Sequence, residues 1–272
     1  MITEKKLIAV DLDGTLLNSD SQLSQVTIDT IKQVAGLGHH VVITTGRPYR
    51  MAKHYYDQLG MTGPMINFNG SLTHIPGQRW AFEHERTLDK AIFLDILKRE
   101  QDWQADFIAG EFRKNFYVTH TNRHAISPAF FAVESIDDNS ELKQEKVTKA
   151  PNVILMQTRH TDKMALAREM ETIYQNQATI TTWGGPMNIL EISAEGVHKA
   201  YALEKLLSAL NMDRSQLIAF GDELNDDEML AFAHTGYAMK NANPEILPYA
   251  DKQLSLTNDE DGVARKLQEL FL

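Results

Sequence analysis

The feature that most constrains this chain is the stretch Lys5-Lys6-Leu7-Ile8-Ala9-Val10-Asp11-Leu12-Asp13-Gly14-Thr15-Leu16-Leu17, where an unbroken apolar run delivers two carboxylates into a glycine turn. Leu7 to Val10 lacks polar alternation, which predicts a strand buried on both faces of a parallel sheet. Ligands of such sheets bind in the crevice beyond the carboxyl ends of the strands, where Asp11 and Asp13 fall. Residues two apart on an extended segment point the same way, so both carboxylates face one site. Like charges held together need a proton or a cation to resolve them, and oxygen ligands favour magnesium. A calcium loop would place glycine sixth and glutamate twelfth, whereas counting from Asp11 the glycine is fourth and Gln22 is twelfth. A solvated turn stays open as the alternative on this stretch alone.

Composition narrows the class. The 272 residues suffice for a sizeable core and two domains, and an apolar fraction of 43% is ordinary for a globular protein. A formal net charge of −10 opposes general binding to nucleic acid or to anionic membranes, so an anionic substrate needs a local cationic site. With no cysteine, disulfides and thiolate metal sites are excluded. The start lacks a signal-peptide core and no window approaches the length of a membrane span, so a cytoplasmic protein is expected. Asn69-Gly70-Ser71 matches a glycosylation triplet but reads better as a turn.

The pattern then repeats. Ser24 caps a predicted helix carrying Ile28, Ile31, Val34 and Leu37, which Gly38 stops. Val41 to Ile43 is a second buried strand ending in Thr44-Thr45-Gly46-Arg47-Pro48, with Pro48 suited to a first helical turn. Met65 to Phe68 reads as a third strand. Three strand, turn and helix units predict a doubly wound parallel sheet. From about Trp80 the rhythm changes: a helix over 88–100, antiparallel strands around 107–108 and 116–119, a polar segment 135–149, a strand at 153–157, a helix over 161–176 and strands at 178–183 and 188–192. A helix at 198–210 and the buried strand Leu217 to Phe220 restore the first pattern, and that strand ends in Gly221-Asp222-Glu223-Leu224-Asn225-Asp226. A short strand at 237–239 and a terminal helix from about Asp261 follow. The division expected is a core from 1–81 and 191–272, with an inserted α+β domain over 82–190.

Four pieces thus stand at strand or helix ends: Asp11-Leu12-Asp13-Gly14-Thr15, Thr45-Gly46-Arg47, Lys199, and Gly221-Asp222 with Asn225-Asp226. Their order and spacing closely resemble the haloacid dehalogenase superfamily, specifically its Cof-type phosphatases, and the resemblance covers the whole chain. It implies an α/β fold, a Rossmann-like doubly wound parallel sheet with an inserted α+β cap of the C2 type. It implies a magnesium-dependent phosphatase of small phosphorylated metabolites, sugar phosphates foremost, working through an aspartyl-phosphate. Asp11 is then the nucleophile and Asp13 the acid and base. Leu12, through its backbone N–H, with Thr45, Gly46, Lys199 and Asn225, meets the phosphate. Mg2+ is held by the Asp11 carboxylate, the Asp13 backbone carbonyl and Asp222, and Asp226 stands behind them, orienting ligands or Lys199. The rival readings are a phosphomutase of the same superfamily and a phosphometabolite-binding regulator without turnover. The expected partner is a small phosphorylated substrate, with no nucleic acid and no membrane, for a monomer or weak homo-oligomer.

Where Cof-type members often read Gly-Val-Ser-Lys-Gly, this chain reads Gly196-Val197-His198-Lys199-Ala200, which puts the packing or protonation around His198 in question. His120 and His124 have helical ligand spacing but lack the glutamate of a zinc-protease motif, and read as surface histidines. Arg47 can touch substrate or pair with a carboxylate. Phe130, Phe131 and Trp183 can line a substrate pocket or pack between domains.

Overall fold

The computed structural model describes residues 4–121, 127–143, 147–183 and 187–272. In chain order the elements are β1 (Leu7–Val10), α1 (Gln25–Gly36), β2 (His40–Ile43), α2 (Tyr49–Gln58), β3 (Met65–Asn67), β4 (Leu72–His74), β5 (His84–Glu85), α3 (Lys90–Lys98), β6 (Ala105–Phe112) and β7 (Asn115–Val118). There follow β8 (Val153–Thr158), α4 (Lys163–Ile173), β9 (Ala178–Thr182), β10 (Ile189–Ala194), α5 (Lys199–Ala209), β11 (Leu217–Gly221), α6 (Asp227–Phe232), β12 (Thr235–Ala238), β13 (Lys252–Gln253) and α7 (Gly262–Phe271). The residues group into two compact units, one of Met1–Arg47, Ala52–His84 and His198–Leu272, the other of Pro48–Met51 and Glu85–Val197.

The first unit is built on a parallel sheet of order β13-β12-β11-β1-β2. Every residue of β1 and β11 is buried, as their continuous apolar runs require of strands covered on both faces. β1 lies between β2 and β11 in register Val10 with Ile43 and Phe220, so the ends of all three strands, and the turns after them, come out side by side. Ser24 caps α1 as its place predicts, its hydroxyl accepting from the Thr27 N–H, and the helix buries Thr27, Thr30, Ile31 and Val34.

One expectation is corrected here. β3 does not continue the parallel sheet as a full strand: it pairs antiparallel with β4 in a three-stranded sheet, and a single bridge between Thr44 and Ile66 joins it to the parallel one. The cause is local. Phe68, Asn69 and Gly70 all have positive φ and turn the chain straight back, where a doubly wound unit would have entered a helix.

The second unit is an antiparallel sheet of order β7-β6-β8-β10-β9. α3 and α4 cover one face, with Ile92, Phe93, Ile96, Leu166 and Met170 packed on Ile108, Ile154, Met156, Ile180 and Ile192. Among the described residues, no helix is long and apolar enough to cross a membrane.

Candidate active site

Asp11 is the first residue beyond β1, and its backbone N–H still donates to the carbonyl of Phe220, which fixes it between two strands. The next five residues form a tight turn closed by the Leu17 N–H on the Leu12 carbonyl, with Gly14 at φ +71°. Glycine is required at that position twice over. An L side chain is strained at this φ, and a Cβ there would lie 2.1 Å from Asp222 Oδ2. The bare backbone lets the end of β11 bring Asp222 against the β1 turn, where the Thr15 hydroxyl donates to Asp222 Oδ1 at 2.7 Å.

Asp11, Asp222 and Asp226 each place a carboxylate oxygen within 4.8 Å of the others, and all three are buried. Lys199, fully buried at the start of α5, stands among them with its Nζ 2.7 Å from Asp11 Oδ1 and 2.6 Å from Asp226 Oδ1. The other oxygen of Asp226 accepts the backbone N–H groups of Asp222 and Glu223. Both of its oxygens are therefore engaged. Gly221 makes room for it, since a Cβ there would meet the Asp226 carboxyl at 2.5 Å.

Three buried carboxylates facing one ammonium leave uncompensated negative charge. Burial, reinforced by the neighbouring Asp226 and Asp222 and only partly opposed by Lys199, pushes the Asp11 carboxyl up to about 8. Burial likewise takes Asp222 up to about 7, against the hydrogen bond from Thr15. Burial works against the charge of Lys199, but Asp11 and Asp226 outweigh it and hold the ammonium above lysine's ordinary range. A divalent cation between Asp11 and Asp222 would supply the missing positive charge, and a hard, all-oxygen donor set suits magnesium. The residues present fit that ion.

Asp13 points elsewhere. Its side chain is 54% exposed and is gripped by Arg47, whose Nε reaches Oδ2 at 2.7 Å and whose second nitrogen reaches Oδ1 at 2.5 Å. Of the two roles open to Arg47, the structure displays the carboxylate pair. Thr45 is buried two residues past the end of β2, and its hydroxyl accepts the Arg47 N–H, which leaves its own proton to donate. Gly46 lies against Asn69, with 3.1 Å between the place of a Cβ and Asn69 Oδ1. Asn225 donates to that same oxygen at 2.9 Å, so the second and fourth motifs are joined by a residue from the turn after β3.

Several supporting residues escape sequence reasoning. Thr15 and Asn69 act only through partners distant in sequence. Asn241, whose side chain donates to the Gly14 carbonyl at 2.8 Å, stands in a segment without a motif. His198 is the N-cap of α5, its Nδ1 accepting the Tyr201 N–H, the task that serine usually performs. His120 is paired with Glu100, and His124 lies outside the described residues.

The chain belongs to the haloacid dehalogenase-like hydrolases, whose family pattern matches residues 8–267. It is thus a hydrolase, of the class that acts on phosphate monoesters. Similar proteins include the 5-amino-6-(5-phospho-D-ribitylamino)uracil phosphatase YitU of Bacillus subtilis, 34% identical over 100% of this chain and 99% of that protein. The phosphatase YwpJ of the same organism is 29% identical over 98% of this chain and 100% of its own length. The crystal structure of a haloacid dehalogenase-like hydrolase from Bacteroides thetaiotaomicron superposes with a TM-score of 0.84 at 26% identity, over 98% of this chain and 100% of that one.

Proposed function

We propose that the protein is a magnesium-dependent phosphatase of small phosphorylated sugars or sugar alcohols, working through a phosphoryl group carried on Asp11. The observation that carries the reading is the buried Asp11 carboxylate held by Lys199 beside Asp222, with a second carboxylate, Asp13, two residues on and oriented by Arg47. The phosphoribityl ester in the name of YitU supports a polyol leaving group.

Bound magnesium would be held by Asp11, the Asp13 carbonyl and Asp222, and would neutralise charge on the phosphate oxygens. The chain's own residues do the rest. Lys199 keeps one Asp11 oxygen engaged and leaves the other to attack phosphorus in line with the ester oxygen. The Thr45 hydroxyl, the backbone N–H groups of Leu12 and Gly46, and the Asn225 amide receive the equatorial oxygens, and Lys199 supplies fixed positive charge. Asp13 gives a proton to the departing alcohol oxygen, then takes one from the water that opens the aspartyl-phosphate. Arg47 positions Asp13 for both steps. Asp226 positions Lys199. The second unit is proposed as the cap that selects the leaving group.

The test is a screen of sugar and sugar-alcohol monophosphates, with magnesium and with chelator, on the wild type and on Asp11→Asn. Free phosphate should appear without any bisphosphate activator, vanish in chelator, and fall about 10⁴-fold or more in the variant. Phosphate release within about tenfold of the wild type in Asp11→Asn would remove the nucleophile from this account.

A further inference from the structure

A cleft of about 690 Å³ opens wholly within the second unit, at the end of its sheet where β6 turns into β7. Its walls are that turn, the segment ahead of α3 and the segment ahead of β8. Strand register sorts the two rings on its wall. Phe112 follows Ile108 and Gly110 on the side of the sheet that α3 covers, and Tyr117, paired with Gly110, faces the same way. Phe112 meets Phe93 of α3 edge-on at 6.4 Å and Tyr117 edge-on at 5.6 Å. Gly110 allows this packing, because a Cβ there would lie 2.7 Å from the Phe93 ring and 3.0 Å from the Phe112 ring. Both wall rings are half-buried, so an apolar surface anchored in the core continues to the cleft.

The rest of the lining is cationic. A chain of net charge −10 here gathers Arg113, Lys114 and Lys149 around one opening. Lys114 and Lys149 are exposed, and neither is paired with a carboxylate among the described residues. Glu85, the carboxylate that shares the lining, is turned aside: its Oε1 accepts the side-chain amide of the buried Asn152 at 3.0 Å. Cations gathered without a counter-charge repel one another, and an anion entering between them relieves that repulsion. The Tyr117 hydroxyl also has no hydrogen-bond partner among the described residues and adds a donor beside the ring wall. The volume is more than inorganic phosphate fills and lies within the roughly 300–1,000 Å³ of pockets for small organic ligands. Three cations call for more than one anionic group, and the rings call for an apolar or aromatic part attached to them.

We propose that this cleft is a second binding site, for a small aromatic polyanion of the nucleoside diphosphate class. Its phosphates lie on Lys114 and Lys149, with Arg113 adding positive charge, and its base lies against Phe112 and Tyr117. No residue of the cleft belongs to the phosphoryl machinery, so the site needs nothing from the phosphatase reading.

The probes are ADP, pyrophosphate and adenosine, which present both parts of the ligand, the anion alone and the ring alone. Each is followed by equilibrium dialysis against the full chain in excess chelator, so that no metal bridges a phosphate to Asp11 and Asp222. ADP should bind more tightly than pyrophosphate or adenosine by about fivefold or more, the scale of an aromatic contact or a charged hydrogen bond. Lys114→Ala and Lys149→Ala, at exposed positions where the fold is not at stake, should each weaken ADP by about fivefold or more, and Lys149→Arg should hold it within about twofold. Tyr117→Leu should weaken ADP by about fivefold and leave pyrophosphate unchanged, while Tyr117→Phe, which keeps the ring, should retain most of the affinity and so tell a lost ring contact from a disturbed sheet. No saturable binding of ADP, or equal ADP affinity in the wild type and both lysine-to-alanine variants, would overturn the site. Pyrophosphate bound as tightly as ADP would overturn the nucleotide class. Loss of ADP binding in Lys199→Ala, with Lys114→Ala and Lys149→Ala unaffected, would place the ligand at Asp11 and overturn the proposal.

Discussion

Gly14 shows how one residue without a side chain sets the chemistry around it. Its positive φ turns the chain after β1, and its missing Cβ is the space that Asp222 Oδ2 fills. Gly14→Ala should therefore do two separable things. The left-handed conformation costs an L residue about 1 kcal/mol in stability. The larger effect falls on Asp222, which must withdraw from Asp11 and from the Thr15 hydroxyl. The expected outcome is a magnesium requirement raised by about tenfold or more, read from activity against metal concentration, with a modest drop in melting temperature. An unchanged magnesium requirement would mean that Asp222 is not held where the turn needs it. The residue is legible in the sequence as a turn glycine, but its role against Asp222 is not, because the two lie more than two hundred positions apart and only the sheet register brings them together.

At the scale of elements, α5 depends on a cap that titrates. Burial lowers the pKa of His198 below histidine's ordinary value, against the nearby Asp227 and Glu204, and its Nδ1 must stay unprotonated to accept the Tyr201 N–H. The folded state thus resists a proton that the unfolded chain takes up near pH 6.5, so this contribution is present above that pH and lost as pH falls through and below it. His198→Ser keeps an oxygen cap, worth about 1 kcal/mol, and removes the titration. The fall in melting temperature between pH 7.5 and 5.5 should be shallower in the variant, and equal slopes would contradict the assignment. His39, His40 and His54, also lowered by burial, keep some slope in both proteins. Elements with strong periodicity and a recognisable cap, such as β1, α1 and β11, could be read from the sequence. β4, β5 and β13 could not, being two or three residues long with pairing set by tertiary partners. The site motifs were legible because each closes a strand or opens a helix. The Asn69 to Asn225 link was hidden, since Asn225 stands out through its motif but nothing local distinguishes Asn69 from a turn residue.

The whole molecule joins two kinds of connectivity. The hydrophobic cluster of the second unit draws every member from between Leu88 and Ile192, a continuous stretch with its own helices and sheet. A fragment of residues 85–197 should accordingly unfold cooperatively on heating, followed by circular dichroism, without the rest of the chain. A broad, non-cooperative melt would show that this unit borrows its order from the other. The first unit has no such independence, because β1 is hydrogen-bonded to β2 on one side and on the other to β11, which begins at Leu217.

That pairing sets a schedule for the ribosome. β1 is made well before β11, and the strand that completes its far edge follows only after the whole inserted unit has been translated, roughly 10 to 40 s later at about 5–20 residues per second. During that interval Leu7 to Val10, an apolar segment with one ladder unsatisfied, stands ready to pair with any strand it meets. The insertion that equips this hydrolase with a second unit also lengthens the time its nascent chain spends with an open strand edge.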